Sequence, residues 1–266
     1  MKRLAWVTDI HLNFVTRPRI EHFCCAILDG SPDAVLVGGD IGEAASVTNY
    51  LRCLESLLKR PLYFVLGNHD YYYGRISEVR ASILELCRAS SLLHWLAAEP
   101  VIELTSTTGL VGHDSWADGR YGNGIHSNML LNDYLLIHDF VGLSHSRRFN
   151  LLSEMGDSAA AHFARVLPDA FERFQSVILL THVPPFRESC WYEGRISDDE
   201  ALPHFACKAV GEVLKREMTA RPDRNLTVLC GHTHGEGRVD ILPNLRVIAG
   251  GATYGKPQVQ EPILAP

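Results

Sequence analysis

The stretch Val65-Leu66-Gly67-Asn68-His69-Asp70 decides how this chain is read. It begins as the end of a buried strand, passes through a glycine that permits a sharp turn, and closes on three polar side chains with no packing purpose. Asn is an oxygen ligand, His an acid or base at neutral pH, and Asp a carboxylate that could orient that imidazole. Four such residues alone carry little weight. They gain meaning only if the rest of the chain delivers metal ligands to the same place.

Working outward toward the N-terminus, residues 3–8 form a short apolar run that ends in Asp9-Ile10-His11. Residues 34–37 form a continuous apolar run of parallel-strand type and end in Gly38-Gly39-Asp40. Helical patterns separate these strands. One covers residues 17–28, another residues 43–58 with Val47, Leu51, Leu54 and Leu58 on one face, and a third carries Ile76, Val79, Ile83 and Leu86. Alternating strands and helices imply parallel strands joined by crossovers. The polar residues then all follow the carboxyl ends of strands, the edge where open α/β sheets place their sites.

Toward the C-terminus the pattern loosens and then resumes. Short strand-like runs at residues 92–95, 101–104 and 109–113 suggest an antiparallel section or a second sheet. Residues 114–150 lack clear periodicity and are rich in Gly, Asn, His and aromatics, which suggests a cap or insert within a single domain spanning 1–266. A helix from Ser153 should break or kink at Pro168. A strand at 176–180 leads to His182, a loop at 186–202 follows, and Pro203 opens a helix expected to reach Met218. The strand at 226–230 ends in Gly231-His232-Thr233-His234-Gly235, and residues 239–248 read as a hairpin about Pro243-Asn244.

Composition narrows the class. The chain has 266 residues, 46% hydrophobic and 21% charged, with a formal net charge of -6. An acidic balance argues against extended nucleic-acid binding, which needs basic surface to neutralise phosphates. The seven cysteines show no CxxC and no regular spacing, so they read as reduced thiols of a cytoplasmic protein. No apolar run approaches the roughly 18 residues of a membrane span, and the first strand starts too early to leave room for a signal peptide.

Five strand ends thus carry Asp9/His11, Asp40, Asn68/His69/Asp70, His182 and His232/His234. With a strand period of two, Asp9 and His11 can point the same way and grip one ion, and His232 and His234 can turn to the same rim. Imidazole, carboxylate and amide oxygen without thiolate suit Mn, Fe, Zn, Ni or Mg rather than a structural zinc knot.

In this order, Asp-x-His, Gly-Asp, Gly-Asn-His-Asp, a lone His and Gly-His-x-His, the sequence resembles the calcineurin-like metallophosphoesterases from Asp9 to His234. The resemblance implies an α/β fold, a four-layer αββα sandwich of two mixed β-sheets flanked by helices, with two divalent metal ions, Mn foremost, at the carboxyl ends of the strands. It implies Asp9, His11, Asp40 and His234 around the first metal. Asp40 would bridge to the second, held also by Asn68, His182 and His232. His69 would protonate the leaving oxygen, with Asp70 fixing its orientation, and hydroxide held by the metals would attack a small phosphate mono- or diester. Protein serine/threonine phosphatases of this family carry Gly-Asp-x-Val-Asp-Arg-Gly and end the third motif in Glu. Here the stretches are Gly39-Asp40-Ile41-Gly42-Glu43 and a closing Asp70, which points to the smaller, bacterial-type branch.

For substrate contacts the sequence offers His113 and Asp114, which end a strand, together with Arg120 and Arg187 in the loops beyond. One of Tyr71, Tyr72 and Tyr73 could stack on an aromatic leaving group. Two other readings compete. A nuclease of the same superfamily sits poorly with the acidic balance and the missing basic arm. A non-catalytic scaffold of the same fold should lack ligands or the catalytic His, whereas here every position is kept.

Overall fold

The registers of two sheets bring the ligand-bearing loops to one rim. The computed structural model describes residues 1–266, the side chain of Ile125 excepted. The first half runs β1 (Lys2–Val7), α1 (Arg17–Asp29), β2 (Ala34–Val37), α2 (Val47–Leu58), β3 (Leu62–Phe64), α3 (Ile76–Arg88) and β4 (Leu93–Trp95). These strands pair in parallel, with Val7 opposite Val37 and Val37 opposite Phe64, so their carboxyl ends are level. Asp9, Asp40 and Asn68 follow within a few residues of those ends.

The second sheet is built from β5 (Ile102–Glu103), β6 (Thr108–His113), and, after α4 (Asp133–Leu136) and α5 (His145–Arg173), β7 (Ser176–Thr181). A small hairpin follows, β8 (Trp191–Tyr192) and β9 (Arg195–Ile196), turning through Glu193 and Gly194. Both turn residues have positive φ, which fits a tight two-residue connection. Then come α6 (Leu202–Phe205), α7 (Lys208–Thr219), β10 (Asn225–Cys230), β11 (Gly237–Leu242) and β12 (Leu245–Ala249). β13 (Ile263–Ala265) returns to the first sheet, antiparallel beside β1. The strand orders are β13-β1-β2-β3-β4 and β11-β12-β10-β7-β6-β5, and both sheets are mixed.

The alternation of side chains along the strands shows how the layers stack. Leu4, Trp6, Leu36, Ile178, Leu180 and Leu229, from both sheets, form one buried cluster between them. Their neighbours in sequence, Val7, Val35, Val37, Val177, Leu179 and Val228, pack outward with the apolar faces of the helices. Such strands are buried on both faces, hence their continuous apolar runs. The result is two mixed sheets flanked by helices, the fold class the sequence implied. All seven cysteines carry free thiols. No helix among the described residues is long and apolar enough to cross a membrane.

Two helix expectations are corrected. α5 does not end at Pro168 but runs on to Arg173. An internal proline costs about 3 kcal/mol, and here Leu167, Ala170 and Phe171, all buried, hold the helix against the core on both sides of it. The helix expected from Pro203 to Met218 is instead two, broken at Ala206 and Cys207 in extended backbone. The Cys207 N–H donates to the Pro184 carbonyl at 2.9 Å, and the Asp118 carboxylate accepts from Ala209 N at 2.8 Å at the start of α7. Tertiary partners thus satisfy the amides that a continuous helix would have used.

Candidate metal centre

Past the end of β1 the chain does not continue as a strand. Asp9 and His11 both have left-handed backbone, at φ 50° and 40°, and so do Asp40, His232 and His234. The period-two argument therefore does not apply, since β1 ends at Val7 and β10 at Cys230. Left-handed residues at alternate positions turn the side chains inward instead. Asp and His are among the non-glycine residues most tolerant of this region, and the strain of such positions gathers where function needs it. Two glycines make the approach possible. A Cβ at Gly67 would collide with the Asp40 carboxylate, and one at Gly231 with the carboxylate of Asp9.

These corners assemble two adjoining sets. In the first, one donor atom from each of Asp9, His11, Asp40 and His234 lies within 4.8 Å of every other. The His11 and His234 Nε2 atoms are 3.1 Å apart, His11 Nε2 is 3.7 Å from Asp40 Oδ2, and His234 Nε2 is 3.6 Å from Asp9 Oδ1. In the second set, Asn68 Oδ1 lies 3.1 Å from His182 Nε2 and 3.0 Å from His232 Nδ1. Asp40 belongs to both, because its Oδ1 is 3.5 Å from His182 Nε2.

The hydrogen bonds around the second set fix its protons. His182 Nδ1 faces the Gly38 carbonyl at 2.8 Å and His232 Nε2 faces the His204 carbonyl at 3.3 Å, so those nitrogens carry the hydrogens. The Asn68 amide nitrogen donates to Asp133 Oδ1 at 2.8 Å, which turns its oxygen inward. Two imidazole lone pairs thus meet an amide oxygen with no proton among them. Buried acceptors facing acceptors are unfavourable unless a cation lies between. The donor set fits a divalent ion.

Charge tells the same story. Burial pushes the Asp9 carboxyl up to about 7 and the Asp40 carboxyl well above its usual range, in the latter case helped by Asp9 and Asp70. Burial pushes the imidazoles the other way, His11 to about 2, His69 to about 3, and His232 and His234 to about 4. Carboxyls shifted up and imidazoles shifted down in one buried cluster are what a site built to receive cations looks like.

His69 stands beside the sets, stacked on Tyr72 at 4.2 Å, with Nε2 4.0 Å from Asp40 Oδ2. Asp70 does not hold its ring, contrary to the sequence expectation. Its carboxylate accepts from the backbone of Ile41, Gly42 and Gly67 at 2.8–2.9 Å, tying the second and third ligand loops together.

Four expected substrate contacts also lie elsewhere. Asp114 is buried and accepts from Leu66 N, Trp95 Nε1 and the Tyr71 hydroxyl. His113 accepts from Ser115 N and packs on His162 of α5. Arg120 pairs with Asp157 and Asp118, and Arg187 with Asp199. None of the four lines the cavity above the metal sets. Each sits near a rim strand in sequence but has a carboxylate, ring or amide partner that turns it away.

The sequence reading missed Asp133 and Tyr254. Asp133 is 3% exposed in α4 and accepts from both Asn68 Nδ2 and the Tyr72 hydroxyl at 2.8 Å. Tyr254 packs at a tilt against His11, ring centroids 4.4 Å apart, and places its hydroxyl 3.4 Å from His69 Nε2. Only a buried carboxylate within residues 114–150 could have flagged the first, and nothing local marks the second.

The chain matches the family model described as calcineurin-like phosphoesterase over residues 2–236. No curated protein matches it. Among solved structures it is similar to a phosphopantetheinyl hydrolase from Mycobacterium tuberculosis, with 14% identity, a TM-score of 0.67, and 97% of this chain and 95% of that one covered. It is also similar to a dimetal phosphatase from Danio rerio, with 12% identity, a TM-score of 0.58, and 94% and 87% covered. With a family match over nearly its whole length and Asp and His side chains gathered as a dinuclear metal site requires, the chain belongs to the calcineurin-like phosphoesterases and is a metal-dependent phosphoric ester hydrolase.

Proposed function

We propose that the protein hydrolyses a small phosphate mono- or diester with two divalent cations, manganese foremost. Asp9, His11, Asp40 and His234 hold one, and Asp40, Asn68, His182 and His232 the other. The observation that carries this is the meeting of unprotonated His182 and His232 nitrogens with the Asn68 oxygen beside Asp40. When bound, two such cations lower the pKa of a water and clamp phosphoryl oxygens.

The protein's own groups do the rest. Gly38 and His204 carbonyls fix the tautomers of His182 and His232, and Asp133 fixes the Asn68 amide. His69 delivers a proton to the leaving oxygen. Burial and the neighbouring His232 and His234 keep it neutral in the resting site, so it takes its proton when an anionic ester arrives beside it. Leu131, Asn132 and Asp133 line the cavity, which supports reading residues 114–150 as a cap that limits substrate size. Water attacks phosphorus directly, without a phosphoenzyme.

The test is a manganese-supplemented assay of p-nitrophenyl phosphate and bis(p-nitrophenyl) phosphate, with chelation and Asp40→Asn as controls. Turnover lost with chelator, restored by manganese and absent in the variant is expected. A chiral phosphorothioate ester should give inversion; retention of configuration would overturn direct attack.

A further inference from the structure

The cavity over the metal sets, about 420 Å³, is lined in part by the aromatic rings of Tyr72, Tyr192, Phe205 and Tyr254. On the side of His11 and His234 stands Tyr254, with Phe14 behind it at 5.3 Å. On the side of His232 stand Phe205, 5.6 Å from that imidazole, and Tyr192, 5.6 Å from Phe205. Tyr192 and Tyr254 are 43% and 49% exposed, so packing does not account for their place. Among the described residues, no Lys or Arg lines this cavity, while the buried carboxylate of Asp133 does.

Charge then discriminates between ester types. Two divalent cations held against ionised Asp9 and Asp40 would leave the site positive, and an ionised Asp133 at the wall would take part of that away. A phosphodiester brings about one negative charge, whereas a monoester with a second pKa near 6 brings close to two. Sites that receive a phosphate dianion commonly supply Arg or Lys for the extra oxygen charge. Among the described residues no such group lines the cavity. A diester also carries a second organic arm, and exposed rings lining the cavity are what such an arm would stack on.

We infer that this site takes a phosphodiester with an aromatic arm in preference to a monoester, and that Tyr254 and Tyr192 set that specificity. The inference rests on the phosphoester hydrolysis proposed above. Tyr254 lies beyond residues 2–236, so the family match assigns it nothing.

Three esters with one leaving group test it on the manganese-loaded protein: p-nitrophenyl phosphate, methyl p-nitrophenyl phosphate and phenyl p-nitrophenyl phosphate. We expect kcat/KM to rise in that order, with the phenyl diester about tenfold or more above the methyl one. Tyr254→Ala and Tyr192→Ala, both at exposed positions, should pull the phenyl-to-methyl ratio toward unity. Asn132→Arg, which places a cation on the wall at an exposed residue, should raise the monoester. Calorimetry gives a readout apart from turnover, with monophenyl phenylphosphonate binding more tightly than phenylphosphonate. Preference for the monoester, or a ratio unchanged in both tyrosine variants, overturns the inference and leaves phosphoester hydrolysis standing. Turnover of none of the three overturns both.

Discussion

Asp133 Oδ1 accepts a hydrogen bond from Asn68 Nδ2 at 2.8 Å, and through it a short helix of the 114–150 segment decides which way a metal-ligand amide points. The Tyr72 hydroxyl shares the same oxygen at 2.8 Å. Partners of this kind commonly change metal affinity about 10–100-fold when removed. Asp133→Ala should therefore weaken manganese binding at the Asn68 set by that order and leave binding at the Asp9 set unchanged. Titration calorimetry with metal analysis would show it; two sites of unchanged affinity would sink the idea.

Asp40 faces both sets, so Asp40→Asn should lower the occupancy of both cations. The buried acceptors of the wild type gain most from ions, and manganese added to chelator-treated protein should raise its Tm strongly. The same addition to Asp40→Asn should raise it much less. Equal shifts in the two proteins would mean the carboxylate is not shared.

Removing His69 tests the proton. His69→Ala should lower kcat by about 10²–10⁴-fold for alkyl esters, whose leaving oxygen needs a proton, and far less for p-nitrophenolate. A loss independent of leaving-group pKa would assign His69 to binding instead.

Asp70 should behave differently. Its carboxylate satisfies three buried backbone amides, so Asp70→Ala should destabilise the fold by about 3 kcal/mol or more. Asp70→Asn should rescue only in part, because one of its ends is a donor. Denaturant melts check this. If Asp70→Ala kept its stability but acquired the leaving-group dependence of His69→Ala, the carboxylate would be acting on the imidazole after all.

His113 supplies a pH test away from the metal sets. Burial lowers its pKa to about 4, with Asp114, His162 and Arg80 as its charged or titratable neighbours. The unfolded chain binds a proton near 6.5 and the native one does not until about 4, so stability falls as pH drops through that window. His113→Asn keeps an acceptor for Ser115 N and should remove about one proton from the slope of stability against pH between those values. An unchanged slope would show that His113 is not neutral in the native state.

The strands and helices of the first half were legible because apolar runs and helical spacing coincide there. Val47, Leu51, Leu54 and Leu58 were expected on one buried face and lie there. The ligand corners were legible as residue types but not as geometry, since left-handed backbone at Asp9 or His232 leaves no mark beyond the tolerance of those residues for it. What was illegible depends on long-range partners. Pro168 inside α5, the break at Ala206 and Cys207, β13 beside β1 and Asp133 beneath Asn68 are each decided by something far along the chain. The four misplaced substrate residues fail for the same reason, because their partners Trp95, His162, Asp157 and Asp199 cannot be read from their neighbours in sequence.

Asp9, His11, Asp40 and Asn68 follow strands of one sheet, while His182, His232 and His234 follow strands of the other, so each metal set straddles the two. Sliding one sheet over the other by a fraction of an ångström would detune the ligand spacing without touching a ligand. The inter-sheet cluster of Leu4, Trp6, Leu36, Leu180 and Leu229 is thus the caliper that sets the gap. Mutations of its leucines, which touch no ligand, should be felt first as altered metal selectivity.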